Sequence, residues 1–239
     1  MQTDNLFAAS GLASPSGFQR WRPGLVARAQ HNELFASTRD AAGAGAAIAF
    51  LRDAAASALV DETAEAEDRR AVLWVQDAGA IRQTGRPYRP GLPADLRRRL
   101  VHVSAATPED ALFALEEGLR CRDVAAVVGE LSGNPRALDF TASRRLSLAS
   151  ERHGVPLWLV RLEAARDLSS ARMRWDIAAA PSDLPQWNGE APGHPAFRAE
   201  LFRARAHPPG EWMLDTGKGL SVRSSASTRS HPPGEQARA

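Results

Sequence analysis

The chain has 239 residues, of which 44% are hydrophobic and 24% charged, with a formal net charge of +2. This length can bury a substantial core, and these proportions are ordinary for a globular protein. No apolar run is long enough to span a membrane, and the first residues do not form a basic-then-apolar secretion signal. We therefore expect a cytoplasmic protein. Cys121 is the only cysteine, which excludes an intramolecular disulfide and argues against a cysteine-based zinc site.

The first third of the sequence predicts a loose segment followed by a helix. Residues 1–30 are rich in Ser, Ala and Gly and are predicted to be a poorly ordered lead-in. Ala41–Leu59 is mostly alanine, with Ile48, Phe50 and Leu51 among the larger apolar residues, and it is predicted to be a helix. Thr38 and Asp40 precede it, and both are suitable N-cap residues.

Short apolar strands then alternate with helices. The predicted helices are Pro108–Arg120, opened by Thr107, and Asp139–His153, which ends at Gly154. The predicted strands, apolar on both faces, are Ala71–Val75, Val124–Val128 and Val155–Val160. Such a pattern predicts an α/β fold with a mostly parallel, doubly wound sheet that is covered on both sides.

The last third has a different pattern. In Arg172–Ala179 apolar residues alternate with charged ones, and Phe197–Phe202 and Glu211–Asp215 are predicted to be two more strands. Alternation indicates one solvated face, as in antiparallel strands added to the edge of a sheet. Residues 216–239 are mainly Ser, Arg, Gly and Pro and are predicted to be a disordered tail. The predicted domain is therefore 31–215.

A doubly wound sheet suggests a phosphate-binding loop before the first long helix. Such a loop needs glycines, a lysine that reaches the phosphates and a hydroxyl for magnesium. The segment 37–46 keeps Gly43 and Gly45 but has no lysine, and Asp40 carries the wrong charge for a phosphate. The sole lysine, Lys218, lies in the predicted tail. We therefore predict a degenerate nucleotide site that includes Asp40, Gly43, Gly45 and Glu130.

Glu130 has two interpretations. It follows the apolar strand at 124–128 through Gly129, and nucleotide hydrolases place magnesium-linked acids at the ends of such strands. Because no lysine accompanies it, the sequence favours a cap or turn carboxylate instead.

No motif in the sequence predicts catalysis, a metal site or a cofactor. The histidines lack HExxH or HxH spacing, and no GxSxG nucleophile motif occurs.

Five arginines are candidates for contact with a partner or with DNA. All follow apolar strands near the predicted carboxyl edge of the sheet, where open α/β folds bind their ligands. The alternative, an ordinary solvated rim, stays equally open. The candidates are Arg136, Arg144, Arg145, Arg161 and Arg166.

Several segments between about residues 31 and 215 resemble the ImuA family of RecA-like accessory proteins from a bacterial inducible mutagenesis cassette. The matching segments are HNELF at 31–35, LWVQD at 73–77, DALFALEEGLR at 110–120, VAAVVGEL at 124–131, LDFTASRRLSLASERHGVPLWLVR at 138–161, ARMRWDIAAAPS at 171–182 and FRAELFRARAHPPGEWMLD at 197–215.

The resemblance implies a RecA-like core and a role in the SOS response to DNA damage, in translesion synthesis. It implies an adaptor that binds an ImuB-like relative of Y-family polymerases and an error-prone polymerase III alpha-type subunit, with RecA as a further partner. By position, Arg161–Ser170 corresponds to a DNA-facing loop of RecA. Two alternatives stay open: a regulator of RecA filaments, and a residual DNA-stimulated ATPase that uses Glu130.

Overall fold

The computed structural model describes residues 30–58, 68–185, 187–205, 207–217 and 220–224. These residues form nine strands, five α-helices and one short 3-10 turn at Arg89–Gly91. In chain order the elements are β1 (His31–Ala36), α1 (Ala42–Ala58), β2 (Ala71–Asp77), α2 (Ala78–Thr84), α3 (Ala94–Arg97), β3 (Leu100–Ala105), α4 (Pro108–Arg120), β4 (Val124–Ser132), α5 (Phe140–His153), β5 (Leu157–Leu162), β6 (Met173–Ala180), β7 (Ala196–Ala204), β8 (Gly210–Asp215) and β9 (Ser221–Ser224).

The nine described strands form one sheet in the order β3-β2-β4-β5-β1-β6-β7-β8-β9. Strands β1 to β6 pair in parallel, with β1 between β5 and β6. Strands β7, β8 and β9 extend the sheet beyond β6 in antiparallel pairs. This arrangement confirms the predicted α/β class, a mostly parallel sheet with antiparallel strands in the C-terminal third, and it is consistent with a RecA-like core.

The sheet has a separate hydrophobic core on each side. On one side α1 packs against β1, β5 and β6, and the Phe50 ring stacks on Trp158 with 5.2 Å between ring centroids. On the other side α4 and α5 lie side by side and bury residues such as Leu115 and Leu146 against β4 and β5. Because helices cover both faces of the sheet, the central strands are apolar on both faces.

Local signals in the sequence fix the ends of the helices. The Thr107 hydroxyl oxygen accepts a hydrogen bond from the backbone N–H of Asp110, while its hydroxyl donates to the Asp110 carboxylate. Asp139 accepts from the backbone N–H of Ala142 at the start of α5. Gly154, with a φ of 69°, ends that helix in the left-handed conformation that glycine tolerates. The predicted ends of α4 and α5 are therefore correct.

The alternation in β6 places Met173, Trp175 and Ile177 in the core beneath α1. On the opposite face Asp176 is partly exposed, as predicted for a solvated face. Arg174 lies on that face as well but is buried, because the connection between β5 and β6 covers it.

Three strands have no counterpart among the predicted elements. Strand β1 begins with three polar residues, and β3 is a short edge strand. Strand β9 falls within the stretch 216–239 that was predicted to be disordered, yet it pairs with β8 and Leu220 is buried. The free edge of β8 offers backbone hydrogen-bond partners to residues 221–224, and amino-acid composition does not show this pairing. Residues 225–239 and Lys218 lie outside the described residues, as does the predicted lead-in up to residue 29.

No helix in the described ranges is long and apolar enough to cross a membrane.

His31, the first residue of β1, is buried beneath α5. Its Nδ1 lies 3.0 Å from the Ser147 hydroxyl oxygen. Burial lowers the pKa of His31 to about 4, and the nearby Glu33 carboxylate opposes this shift only in part. The imidazole is therefore neutral in the folded protein at neutral pH.

We expect acid to destabilise the fold through His31. The unfolded chain takes up a proton near pH 6.5, while the folded chain resists protonation down to about pH 4, so stability falls as the pH drops through this window. Between about pH 7.5 and about pH 5 this loss amounts to about 2 kcal/mol. Urea unfolding at both pH values, with His31→Gln as the control, isolates this effect from other titrating groups. An equal loss in both proteins would contradict the prediction.

Candidate functional site

The loop between β1 and α1 stands where a phosphate-binding loop would lie, and a carboxylate of the protein fills it. Glu163 directly follows β5, and its Oε1 accepts three hydrogen bonds from this loop. The donors are the backbone N–H of Thr38 at 2.7 Å, the Ser37 hydroxyl at 2.8 Å and the Thr38 hydroxyl at 3.0 Å. Backbone N–H groups and hydroxyls are the donors that phosphate-binding loops use. In this protein they bind a carboxylate of the chain itself, on an exposed side chain.

The backbone holds Glu163 in this position. Among the described non-glycine residues it is the one with a positive φ, 50°, a conformation that L-residues adopt at an energetic cost. Its own N–H donates to the Ala36 carbonyl at the end of β1. The hydrogen bond from the Thr38 N–H is the main cause that lowers the pKa of Glu163. The carboxylate is therefore ionised at neutral pH, as a phosphate would be.

Asp40, a predicted member of the degenerate nucleotide site, connects α1 to the sheet. Its Oδ1 accepts from the backbone N–H of Ala42 at 2.9 Å, and its Oδ2 accepts from the N–H of Ala179 in β6 at 3.2 Å. Asp40 therefore binds a free N–H of the first turn, as a cap does, although Ala41 holds the N-cap position because its carbonyl accepts from the Gly45 N–H. Thr38 instead binds Glu163.

Gly43 and Gly45 lie inside α1, not in the preceding loop. A Cβ atom on Gly43 would come within 2.7 Å of Val160 and 2.8 Å of Ala36, and one on Gly45 within 2.7 Å of the Phe197 ring. Both glycines therefore let the helix approach the sheet closely. The alanine-rich composition of this helix was the available signal for such packing.

Glu130 lies within β4, which continues to Ser132, and so it is neither at a strand end nor in a turn as the sequence favoured. It is buried, and its carboxylate accepts a hydrogen bond from the Trp74 indole N–H at 2.6 Å and one from the Thr84 hydroxyl at 3.3 Å. Burial raises the pKa of Glu130, and these hydrogen bonds oppose that shift. Its hydrogen bonds thus connect β4 to the neighbouring strand β2 and to α2.

Arg161 does not lie on an exposed rim. Its side chain is 1% exposed, within 3.6 Å of the Glu33 carboxylate and 3.5 Å of Asp167, and it donates to the Gly133 carbonyl. This burial is at odds with the prediction that Arg161 contacts a partner or DNA. Arg161 points into the space between the sheet and the β5–β6 connection, because position 161 lies within β5.

Glu33 is the centre of a buried charge cluster that the sequence did not predict. Its carboxylate accepts from Arg174 Nε at 2.7 Å and from the Ser169 hydroxyl at 2.7 Å. The guanidinium groups of Arg161 and Arg174 lie 5.6 and 5.0 Å from the centre of the Phe35 ring. The one signal in the sequence was the alternation of His31, Glu33 and Phe35 on one face of a short strand.

The other four candidate arginines do not form one cluster. Arg166 is paired with Asp176 at 2.8 Å and with Glu200 at 3.5 Å. Arg145 is paired with Glu116 at 2.6 Å. Arg136 and Arg144 are exposed, and no carboxylate in the part of the chain that the structure describes forms an ion pair with either one.

The β5–β6 connection, which the resemblance aligns with a DNA-facing loop, is fixed to its neighbours. The Asn134 side chain donates to the Ala165 carbonyl and to Asp167, and it accepts from the Ala165 N–H. Further along, the Ser170 N–H donates to the Ser143 hydroxyl in α5. These contacts hold both halves of the connection against the domain.

The protein thus belongs to the α/β class, with a sheet consistent with a RecA-like core. The carboxylates of Glu163 and Asp40 accept the hydrogen bonds that the β1–α1 loop and the start of α1 can donate. No cluster of three or more His, Cys, Asp or Glu side chains that could hold a metal occurs among the described residues.

Comparison with known proteins gives a more specific relationship. No protein-family model matches the chain. Protein ImuA from each of two strains of Caulobacter vibrioides is 36% identical to it over an alignment 160 positions long, which covers 60% of this chain and 59% of the relative. The match thus spans about three fifths of the length of these curated relatives. It confirms the resemblance to the ImuA family over the matched part of the chain.

We expect Gly43→Ala to destabilise the protein. The added methyl group would overlap Val160 and Ala36, and this overpacking outweighs the better helix propensity of alanine, so unfolding becomes easier by about 1–2 kcal/mol. Gly189→Ala is the control, because a Cβ atom added there would have no other atom within 4 Å. Urea unfolding measures both variants, and equal stability of the two would show that α1 can shift to accept the methyl group.

Arg174→Met should be strongly destabilising, because it leaves Glu33 with a weaker set of partners in a buried position. Breaking a buried ion pair costs about 3–5 kcal/mol, whereas an exposed pair is worth about 0–1 kcal/mol. Arg198→Met is the matched control: Arg198 lies on the neighbouring strand β7, and its side chain is 40% exposed in its pair with Glu211. Chemical denaturation of both variants tests this, and similar losses would contradict the buried-pair account.

Proposed function

We propose that this protein is a non-catalytic adaptor in the mutagenesis that follows DNA damage, and that it acts by binding protein partners. Two findings support the proposal. The chain is related to proteins named ImuA, and the donors at the β1–α1 loop bind Glu163 and Asp40.

We propose a non-catalytic function because the donors of the β1–α1 loop are already bound to Glu163. To bind a triphosphate there, the protein would have to displace the Glu163 carboxylate from three donors. No lysine follows to compensate the phosphate charge, since the sole lysine is Lys218. Phosphoryl transfer depends on positioning and on positive charge around the phosphates, and the cation of this loop, Arg39, interacts with the Glu163 carboxylate instead.

The proposed partners are those that the resemblance to the ImuA family implies. The partners proposed are an ImuB-like relative of Y-family polymerases, an error-prone polymerase III alpha-type subunit and RecA. The sheet presents β3 at one edge and β9 at the other among the described strands. Unpaired strand edges can dock a partner without any chemistry.

Gene deletion with complementation tests this function. We expect deletion to abolish the rise in mutation frequency after DNA damage and the wild-type gene to restore it. Glu130→Gln should also restore it, because an adaptor needs no nucleotide turnover, and immunoblotting controls for the amount of protein. An unchanged frequency after deletion would reject the proposal.

The alternatives predict different results in the same strains and with the purified protein. A residual ATPase predicts ATP turnover that Glu130→Gln abolishes, together with failed complementation by that variant. A RecA-filament regulator predicts a changed filament lifetime when the protein is added to RecA on single-stranded DNA. An adaptor predicts that polymerase partners co-purify from damage-treated cells even after nuclease treatment.

A further inference from the structure

A groove beside α5 combines positive charge with exposed apolar side chains. It is a cavity of about 440 Å³ between the N-terminal half of α5, the end of the β5–β6 connection and the end of β7. We call it the α5 groove. The side chains that matter for its chemistry are Phe140, Arg144, Leu148, Arg172, Arg203 and Arg205.

The charge of the α5 groove is poorly balanced within the described part of the chain. Arg172 is paired with Glu151, and the Glu151 carboxylate also interacts electrostatically with Arg205. Arg144 and Arg203 are exposed and have no ion pair with any described carboxylate. Two of the four arginines thus share one carboxylate and the other two have none among the described residues, which leaves an excess of positive charge for a ligand to neutralise.

Two arginines elsewhere on the same side of the sheet contrast with this. Arg166 is paired with Asp176 and Glu200, and Arg198 with Glu211 and Asp176. Carboxylates therefore neutralise these two arginines, whereas Arg144 and Arg203 of the α5 groove have no such partner among the described residues.

The apolar part of the groove lies along one face of α5. Phe140 is 44% exposed and Leu148 is 52% exposed. They lie two turns apart on the helix, with Arg144 midway between them, so the three share one face. An aromatic ring and an aliphatic side chain at this spacing offer two contacts for apolar side chains of a ligand.

The floor of the groove contributes little hydrogen bonding of its own. The Ser147 hydroxyl oxygen lies 3.1 Å from the backbone carbonyl oxygens of both Ser143 and Ser170 and can donate to either, the Ser170 hydroxyl donates to Ser147, and the Ser169 hydroxyl donates to Glu33. Recognition in the groove therefore depends on the arginines and on the two apolar side chains.

We propose that the α5 groove binds an acidic segment of a partner protein, in which carboxylates flank apolar side chains. The arginines match carboxylates in charge and geometry, and Phe140 and Leu148 match the apolar side chains. This inference rests on the proposed adaptor function and identifies the surface and the chemistry of one partner contact.

Single-stranded nucleic acid fits the groove less well. Binding of single strands uses several aromatic side chains on which successive bases stack, and Phe140 is the one aromatic side chain in the groove lining. Leu148 gives a base no stacking surface. The aliphatic contact therefore favours a peptide over a nucleic acid.

A random-peptide display library tests the inference with the purified full chain as bait. We expect the enriched peptides to be rich in Asp and Glu and to carry Leu, Ile, Met or Phe. Fluorescein-labelled versions of these peptides, measured by fluorescence anisotropy, should bind about tenfold more weakly to Arg144→Glu and to Arg203→Glu, because each substitution places like charges together. Leu148→Ala should also weaken binding.

Arg152→Glu is the matched control: it makes the same change at an exposed arginine of the same helix, and Arg152 is not part of the groove lining. It should leave peptide binding unchanged, and circular dichroism verifies that all variants are folded. A library that yields no acidic–apolar peptides, or peptides that bind all variants equally, would overturn the inference. Tighter binding of a labelled single-stranded oligo-dT, lost in Arg203→Glu, would assign the groove to nucleic acid instead.

The test of the α5 groove and the test of the proposed adaptor function can fail independently of each other. If the gene is required for damage-induced mutation but Arg203→Glu complements fully, the groove inference fails and the adaptor function stands. If deletion has no effect on mutation frequency while acidic peptides bind the groove, the proposed function fails and the binding site stands.

Discussion

The filled β1–α1 loop and the α5 groove both depend on the contacts that the buried Glu33 carboxylate makes. It lies in β1, the central strand between β5 and β6, where an unpaired charge would be costly. Arg174, Arg161 and Ser169 all contact it. Arg161 belongs to β5, Arg174 to β6, and Ser169 to the connection that joins them. One buried charge therefore holds a ten-residue stretch, 163–172, against the sheet.

The two ends of that connection form the two functional features described above. At its beginning Glu163 reaches the β1–α1 loop and occupies the donors there. At its end Ser169, Ser170 and Arg172 form one wall of the α5 groove. A connection free to move could neither hold Glu163 in its strained conformation nor keep Arg172 opposite α5. The filled loop and the basic groove thus have a common structural cause.

Most of the fold could be predicted from the sequence, because its signals are local. Apolar runs such as 124–128 mark central strands, and residues such as Thr107 and Gly154 mark helix ends. Strand β1 was missed because its buried polar residues are satisfied by partners more than a hundred residues away, such as Arg174 for Glu33. The missing lysine was visible in the sequence. The Glu163 contact was not, since it depends on a turn with positive φ at the end of β5.

The candidate arginines show why position along the chain does not establish exposure. Arg161 and Arg166 are separated by a few residues, yet Arg161 is buried beneath the connection, whereas Arg166 is part of the connection and is exposed. The predicted contacts all follow apolar strands of the parallel part of the sheet, so Arg203 and Arg205, which come after the predicted strand Phe197–Phe202, were not among them. Only the antiparallel pairing of β7 with β6, which sets Ala204 opposite Met173, brings them next to α5.

At two positions in the buried cluster around Glu33, the choice of arginine has a physical reason. Arg161 contacts Glu33, Asp167 and the Gly133 carbonyl at once, and Arg174 contacts Glu33 and Asp167. A guanidinium group stays charged when buried and offers five donors in one plane, whereas a buried lysine readily loses its charge. Lysine at either position would satisfy fewer acceptors and release the connection from the sheet. The geometry around Glu33 therefore favours arginine over lysine at 161 and 174.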